Sequence, residues 1–338
     1  MAVAQGAPAG GALVSFKIPR GRGASLSLYI ARRILWLVPV LFFVITITFV
    51  LMHFAPGSPW DREGKQLSAA VVRNLNEKYG LNEPFLAQYG RYLLNVAHFD
   101  FGLSYQYEDQ PVSALILRSW PPTAVIGSLA FLMIVIFGIS IGVVAALRQN
   151  TWVDYAVVGF STIGASTPAF VLGIILIIIF SVTLYRVTGG DFSLPTGGFA
   201  LDQHLIMPVV TLATLPIAYI ARLTRASTLE VLRQDYIRTA WAKGLRERLV
   251  VTKHVLKNSL IPVVSALGPT FAVLITGSVI VESVFAIPGI GRAFVVAVSS
   301  RDYPMILATT ILFSVIVALA NLVVDLLYTV IDPRVRLG

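Results

Sequence analysis

The stretch Ile34–Met52 reads ILWLVPVLFFVITITFVLM and contains no charged residue over its 19 positions. An α-helix rises about 1.5 Å per residue, so a run of this length nearly crosses a hydrocarbon layer about 30 Å thick. Five more apolar runs follow, at Val125–Leu147, Ala156–Leu184, Leu205–Ile220, Leu260–Val281 and Met305–Ile331. The sequence therefore predicts an all-α integral membrane protein with six transmembrane helices.

The composition of the whole chain supports the same class. Of its 338 residues, 56% are hydrophobic and only 13% are charged, and the mean hydropathy is +0.79. A soluble domain of this length needs about a quarter of its residues charged. The chain has no cysteine, and its four histidines are scattered, so the sequence predicts no metal site.

Lysine and arginine are distributed unevenly between the segments that join the apolar runs. With both termini in the cytoplasm, the inner segments hold 17 of the 26 basic residues but only 6 of the 17 acidic residues. An excess of basic residues on the cytoplasmic side is typical of membrane proteins. We therefore predict a multi-pass protein of a cytoplasmic membrane with both termini inside. The net charge of +9 is then a topology signal and indicates no nucleic-acid partner.

One membrane domain is the simplest organisation. We predict a basic cytoplasmic tail at 1–33, a six-span domain at 34–331 and a short cytoplasmic tail at 332–338. The first run is of span length and is retained as an anchor. Residues 53–122 form an external helical elaboration that either only packs on the outer face or helps to receive a substrate or partner. The fourth run contains Pro208 and Pro216, which predicts a kinked helix that lines a pathway or is kinked only for packing.

No pattern of catalytic residues is present. The chain lacks a phosphate-binding GxxxxGK[ST] loop and an HExxH motif. Its one GxSxG match, at 138–142, lies inside the second apolar run and not at the strand-to-helix turn that this motif needs. Among ionisable residues only Asp325 lies well inside a run, four residues from Asn321 on the same helix face. This pair predicts a capping or interhelical hydrogen bond, with a proton relay as the alternative. What remains is a pathway in membrane lipid that takes its energy from another protein.

The segment Arg222–Ile261 is where such energy could enter. It reads RLTRASTLEVLRQDYIRTAWAKGLRERLVVTKHVLKNSLI, a basic stretch between the fourth and fifth runs. Its pattern predicts one helix, a turn at Gly244 and a second helix that leads into the fifth span. Apolar residues recur among the charges, at Tyr236, Ala240, Leu245, Leu249 and Val250. A helix pair of this kind docks a soluble partner or lies on anionic lipid, and periodicity alone does not separate the two.

At these residues the chain resembles the membrane permease subunits of bacterial ABC importers, specifically the oligopeptide/dipeptide/nickel branch. The family motif is EAA, three residues, Gly, nine residues and Ile-x-Leu-Pro. Here Arg238, Thr239 and Ala240 stand at the EAA positions and Gly244 matches the glycine, whereas Lys257 replaces the proline. DYIRTAWAKGL and HVLKNSLIPV are similar to this branch. So are YIARRILWLVPVLFFVITITFVL, ESVFAIPGIGR and DLLYTVIDPRVR, which begin at Tyr29, Glu282 and Asp325.

The resemblance implies a type I ABC importer permease fold with six spans. It implies a second homologous permease, two cytoplasmic ATPases and an extracytoplasmic binding protein as partners in a bacterial or archaeal cytoplasmic membrane. The permease binds no cofactor, and its partners use ATP and magnesium. Peptides are the expected substrates, with nickel chelates and oligosaccharides as alternatives. The ATPase-coupling loop, 222–259, would act through Asp235, Tyr236, Arg238, Thr239, Ala240, Lys243, Gly244, Leu245 and Arg246, with Arg238 and Ala240 near the docking surface.

Between the last two spans lies Ile287-Pro288-Gly289-Ile290-Gly291, which cannot form a regular helix. We predict either a re-entrant gate or a plain surface turn. Glu282 and Asp302 flank it and could meet a substrate amine or be only solvated. Candidate gate residues are Glu282, Pro288, Gly289 and Gly291. A stand-alone channel or secondary carrier would show more polar residues in mid-span, and a membrane anchor would need no kinked spans.

Overall fold

The computed structural model describes residues 26–55, 57–60 and 68–331. The predicted C-terminal tail at 332–338 and most of the N-terminal tail at 1–33 lie outside this range. The described part is helical, and its only bridge between extended residues joins Leu103 and Pro111.

The helices follow one another along the described chain. They are α1 (Leu26–Phe54), α2 (Ala69–Tyr79), α3 (Phe85–Ala97), α4 (Val112–Met133), α5 (Ile139–Leu147), α6 (Trp152–Ser166), α7 (Ala169–Ile177), α8 (Leu184–Val187), α9 (Ile206–Leu232), α10 (Asp235–Ala242), α11 (Glu247–Leu249), α12 (Leu256–Thr276), α13 (Val279–Val284), α14 (Ile290–Ser299) and α15 (Tyr303–Ile331). Helical turns of π geometry continue the neighbouring helices at Ile134–Gly138, Ile178–Thr183 and Val250–Val255.

Within the described residues, six segments are long and apolar enough to cross a membrane, which confirms the predicted number. They are Tyr29–Phe54, Val112–Leu147, Ala169–Val187, Gln203–Leu232, Glu247–Val284 and Tyr303–Leu326. We call the end of the bundle that holds 222–259 the loop end and the opposite end the far end.

Two spans begin earlier than their apolar runs. Helix α1 starts at Leu26, eight residues before Ile34, because the two arginines in between are good helix formers and do not stop it. Helix α4 starts at Val112 and continues through Pro121 and Pro122, whereas the sequence analysis ended the external segment at residue 122. Residues 112–122 therefore belong to the second span and not to the external segment.

The third predicted run, Ala156–Leu184, is two helices and not one. Thr167 has φ −92° and ψ 118°, an extended conformation that ends α6. The ring of the following Pro168 disfavours helical dihedrals in the residue before it, and α7 then starts at Ala169. The membrane-crossing part accordingly shifts to Ala169–Val187.

The fourth span, α9, is longer than predicted and lies at the centre of the bundle. It runs from Ile206 to Leu232, so the first eleven residues of the predicted loop are still helix. Pro208 falls in the first turn, where no helical N–H is needed, and Pro216 is accommodated inside the helix. Because α9 continues unbroken, any movement of the basic segment acts directly on the central helix.

Small residues let the neighbouring helices approach α9 and α12 closely. A Cβ added at Gly142 of α5 would lie 2.5 Å from the Ala221 carbonyl oxygen, and one at Gly127 of α4 would lie 2.5 Å from that of Leu274. In membranes, such close backbone packing substitutes for a hydrophobic driving force between helices. The core around these contacts consists of Ala130, Ile134, Ala213, Ile217, Ile220, Val263, Leu267 and Leu274.

The external segment packs on the far end through α2 and α3. The Trp60 indole donates to Asn76 Oδ1 at 2.7 Å and stacks near Tyr79 and Tyr105 at ring-centroid distances of 5.4 Å. His53 of α1 contacts Gln88 Oε1 at 3.0 Å and so joins the first span to α3. A role of the external segment in receiving a substrate or partner stays a prediction.

Candidate functional site

The basic segment forms two short helices joined at a glycine. Gln234 caps α10 with φ −72° and ψ 146°, and Asp235 lies in the first turn, where a carboxylate favours the helix dipole. After Lys243 the chain turns at Gly244, whose φ is +77°. Apart from its two neighbours in the chain, no residue that the structure describes comes within 4 Å of a Cβ added at Gly244. The backbone conformation, and not crowding, therefore requires glycine at this turn.

One face of α10 packs inside the segment. Ile237 is fully buried and Ala240 is 8% exposed, and both contact the buried Val250 and Val255. The end of α9 contributes Val231 and Leu232 to the same cluster. The two short helices and the end of the central span thus form one packed unit.

This burial corrects part of the site prediction. Ala240 faces its own cluster and is not part of an exposed docking surface in this conformation. Helical periodicity explains the result, because positions 237 and 240 share one face whereas 238 and 241 lie on the other. Val250, which was placed with the partner-facing residues, is also fully buried.

The opposite face of the segment is exposed and mixes apolar with basic residues. Tyr236, Trp241, Leu245 and Leu249 are each between 36% and 45% exposed. The exposed basic and polar residues among them are Arg238, Thr239, Lys243 and Arg246. We call these eight residues the docking patch. Exposed aromatic and apolar residues ringed by polar groups mark interaction sites.

The docking patch is tied to the spans on both sides. Asn258 Nδ2 of α12 donates to Tyr236 Oη at 2.9 Å. Arg238 and Asp235 approach to 3.6 Å, but both are exposed, so this ion pair contributes little. The packed cluster and the Tyr236 contact are what fix the patch relative to α9 and α12.

A buried ion pair holds α9 to α6 near the loop end. Arg225 donates to Asp154 through Nε at 2.5 Å and through Nη2 at 2.7 Å. The Asp154 side chain is only 3% exposed, and its carboxylate also accepts from the Asn150 backbone N–H at 3.0 Å. The Arg225 hydrogen bonds, helped by that N–H, lower the pKa of Asp154 below its ordinary value of 3.8.

We expect Asp154→Asn to lower the free energy of unfolding at neutral pH by about 1–2 kcal/mol, because Arg225 loses its charged partner. Since the folded state has the lower pKa, the carboxylate stabilises the fold above pH 3.8 and loses this effect as the pH falls through the folded-state value. Thermal unfolding in detergent between about pH 5 and pH 3 measures the difference. The gap between wild type and D154N should narrow on acidification, and a constant gap would contradict the assignment.

At the far end, the chain makes a packed turn between α13 and α14, and α14 begins at Ile290, inside the stretch that the sequence indicated was not regular helix. Ile287 and Ile290 are fully buried, Gly289 and Gly291 are also buried, and Pro288 is exposed. Gly277, with φ +102°, ends α12 beside Gly291, where an added Cβ would come within 3.0 Å of the Gly291 nitrogen. This burial favours a turn held inside the protein over a plain surface turn.

Glu282 holds this turn. It is 4% exposed, and its carboxylate accepts from Thr123 Oγ1 of α4 at 2.8 Å and from the Arg292 backbone N–H at 2.7 Å. Thr123 Oγ1 in turn accepts from the Ile290 N–H at 2.9 Å. We call Glu282, Thr123 and these first residues of α14 the carboxylate lock. The negative charge lies at the start of α14, where free N–H groups favour it.

Of the two alternatives for Glu282 and Asp302, contact with a substrate amine or solvation, the burial of both side chains excludes solvation. Asp302 is 1% exposed and accepts from the Ser104 hydroxyl and from the Tyr105 backbone N–H. Both carboxylates are used within the protein, so neither is available to a substrate amine in this conformation. The sequence does carry a signal for this burial. Gly277, Gly289 and Gly291 allow the backbone to lie close to the Glu282 carboxylate.

In the last span, Asp325 makes interhelical hydrogen bonds. It accepts from Tyr29 Oη at 2.9 Å and from Arg33 Nε at 3.0 Å, both on α1. Asn321 is exposed, and among the described residues the hydrogen-bond partners of Asp325 are Tyr29 and Arg33 and not Asn321. Asp325 therefore makes the interhelical hydrogen bond that was one of the predicted alternatives. It makes this bond with α1 and forms no hydrogen-bonded pair with Asn321.

Comparison with known proteins places the chain among transport proteins. The family described as "Binding-protein-dependent transport system inner membrane component" matches residues 138–337, and its N-terminal companion matches residues 26–127. The oligopeptide transport system permease protein OppB of Salmonella typhimurium is 46% identical over 91% of this chain and 99% of that protein. The dipeptide transport system permease protein DppB of Bacillus subtilis is 40% identical over 91% and 98%.

A solved structure shares the fold. A chain of the MetNI methionine ABC transporter, in an inward-facing conformation, superposes with a TM-score of 0.52 at 19% identity. The match covers 66% of this chain and 99% of the transporter chain. At this identity the likeness concerns the arrangement of the spans alone.

Proposed function

Because this chain belongs to the binding-protein-dependent transport system inner membrane components, we propose that it is the permease of an ABC importer for di- or oligopeptides. The observation that carries the proposal is identity of 40–46% over nearly the full length of named oligopeptide and dipeptide permeases. The protein is a transport subunit and not an enzyme. Nickel chelates or oligosaccharides are the alternative substrates within the same importer class.

We propose three kinds of protein partner. A second homologous permease completes the pathway, two cytoplasmic ATPases bind and hydrolyse ATP with magnesium, and an extracytoplasmic binding protein delivers the peptide. This chain itself binds no nucleotide or other cofactor. The docking patch supports the ATPase assignment, since it is an exposed apolar surface on a segment that is fixed to two spans.

The proposed orientation places the loop end in the cytoplasm. Both chain termini then lie inside, and the external segment lies on the side of the binding protein. The excess of basic residues at the loop end supports this orientation. It also puts the docking patch on the side where ATP is available.

Coupling follows from the way the docking patch is built. A force on α10 passes through the buried Ile237 cluster to the end of α9, and through α12 toward the far end. Helix α12 ends at Gly277, which lies against the carboxylate lock. Closure of the ATPases would thus move two packed helices and change the turn at the far end. Such a switch between two packed arrangements is a rigid-body transition.

A stand-alone channel or secondary carrier is the second candidate. An ion-driven carrier places ionisable groups in the middle of its spans. Here the buried acidic groups among the described residues lie near span ends and are engaged in structural hydrogen bonds. This arrangement favours a pathway driven by partner ATPases.

The proposal is tested by purifying the tagged chain from its native membrane in mild detergent and identifying the bound proteins. We expect a second permease and two ATPase chains, with ATP hydrolysis stimulated by a peptide-loaded binding protein. Recovery of the chain alone or as a homo-oligomer without ATP hydrolysis would contradict the importer assignment.

Trp241→Ala should weaken retention of the ATPases about tenfold, because exposed tryptophan contributes strongly to interfaces. Trp152→Ala is the matched control, since Trp152 is 79% exposed, is assigned to the same end and lies outside the docking patch. The amount of ATPase recovered per permease measures the effect. Equal recovery from W241A and W152A would remove Trp241 from the docking surface.

A further inference from the structure

A groove between α1 and α15 opens on the outside of the bundle. Its volume is about 470 Å³. On α1 it extends from Arg33 to Val40, and on α15 from Thr310 to Leu322. Most of its lining is apolar, and both helices belong to membrane spans. Within a membrane, lipid or another protein must fill such a groove.

The dimensions of the groove favour a hydrocarbon chain. The thirteen residues from Thr310 to Leu322 span twelve helical rises, or about 18 Å of helix. This is slightly more than half of a hydrocarbon layer about 30 Å thick. Half of that layer is the depth of one leaflet, so the groove is about as long as one acyl chain.

A polar side chain inside the groove has no partner. Asn321 is exposed, and its carboxamide has no hydrogen bond to any residue that the structure describes. It lies one helical turn, about 6 Å, deeper in the membrane than Asp325. An amide left unpaired at membrane depth is unfavourable. The ester carbonyls of a phospholipid lie just below its phosphate and would accept a hydrogen bond at this level.

One basic residue, Arg33, lines the mouth of the groove, and Arg32 precedes it in the sequence. Arg33 remains 49% exposed at its side chain although it binds Asp325, and Arg32 is also exposed. Trp36 is 65% exposed and lines the groove within one helical turn of Arg33. Tryptophan is enriched at this level, the interface between membrane and water. Clustered basic residues at the end of a span attract anionic lipid headgroups. The charge therefore complements a phosphate at the mouth.

We propose that this groove binds one acyl chain of an anionic phospholipid, with the phosphate beside Arg32 and Arg33 and an ester carbonyl on the Asn321 amide. The site is separate from the docking patch and from the carboxylate lock. It does not depend on which substrate the protein carries.

The test uses the full-length chain, purified in mild detergent with the subunits that it retains and exposed to phosphatidylglycerol vesicles. Phospholipid that survives washing is quantified by mass spectrometry. Val317→Phe fills the groove and should lower retained phosphatidylglycerol about tenfold. Val323→Phe is the matched control, because Val323 is on the same helix, is 54% exposed and lies outside the groove. Asn321→Ala should lower retention about fivefold without changing the packing.

Three results would overturn the proposal. The first is equal retention of phosphatidylglycerol by V317F and V323F. The second is equal retention of phosphatidylcholine and phosphatidylglycerol by the wild type, which would remove the role of charge. The third is an efficient cross-link from V317C to a second polypeptide in native membranes, which would assign the groove to a subunit interface.

Discussion

Replacing Gly244 with valine should reduce ATP-dependent peptide uptake about 100-fold while membrane insertion stays normal. Gly244 has φ +77°, a conformation that costs a β-branched residue about 3 kcal/mol, which corresponds to about 100-fold in population. The surroundings of Gly244 are open, so the energetic cost comes from the strained backbone of the turn and not from a steric clash. The docking patch would lose its fixed shape, and the ATPases would hydrolyse ATP without moving the spans.

Two controls separate coupling from folding. Gly102, in the external segment, also has φ +77° and no atom within 4 Å of an added Cβ. Gly102→Val therefore carries the same backbone cost far from the docking patch and should leave ATPase coupling intact. Gly244→Asn should retain most uptake, because asparagine tolerates positive φ better than other side chains. Normal uptake by G244V would contradict the role of the turn.

Loss of the Glu282 carboxylate should be the most destabilising single change at the far end. Glu282→Ala leaves the Thr123 hydroxyl and the Arg292 N–H buried without their acceptor. Unpaired buried donors cost about 1–3 kcal/mol each, so we expect a loss of about 3–5 kcal/mol with the cavity included. Thermal unfolding in detergent should shift downward by roughly 10 °C.

A pair of threonine variants shows whether this effect belongs to the carboxylate lock. Thr123→Val removes a donor to Glu282 and the acceptor for the Ile290 N–H. Thr309 is equally buried, but its hydroxyl bonds only to carbonyls of its own helix. T123V should be clearly destabilised and T309V nearly unchanged. Equal unfolding temperatures for E282A and wild type would contradict the role of the lock.

Features set by a single segment could be predicted from the sequence. Span length and apolarity are sufficient to find six membrane helices, because a helix in lipid satisfies its own backbone hydrogen bonds. The turn at Gly244 is likewise local. The family resemblance rested on contiguous stretches such as DYIRTAWAKGL and is confirmed by the comparisons.

Features that join distant segments could not be predicted. Glu282 is buried because Thr123, 159 positions away, faces it, and Asp325 is paired because Arg33, 292 positions away, lies beside it. The orientation of Ala240 depended on where the second short helix packs. The break before Pro168 is different, because it is a local feature that the sequence analysis missed. A proline disfavours helical dihedrals in the residue before it, even inside an apolar run.

The central claim is that this chain forms a peptide pathway driven by partner ATPases. The most direct measurement is uptake of a labelled oligopeptide into proteoliposomes that contain the purified complex, with binding protein outside and ATP enclosed. We predict accumulation that requires hydrolysable ATP and the binding protein, and that is lost in G244V but retained in G102V. Accumulation that proceeds without ATP and follows an imposed ion gradient would contradict this account.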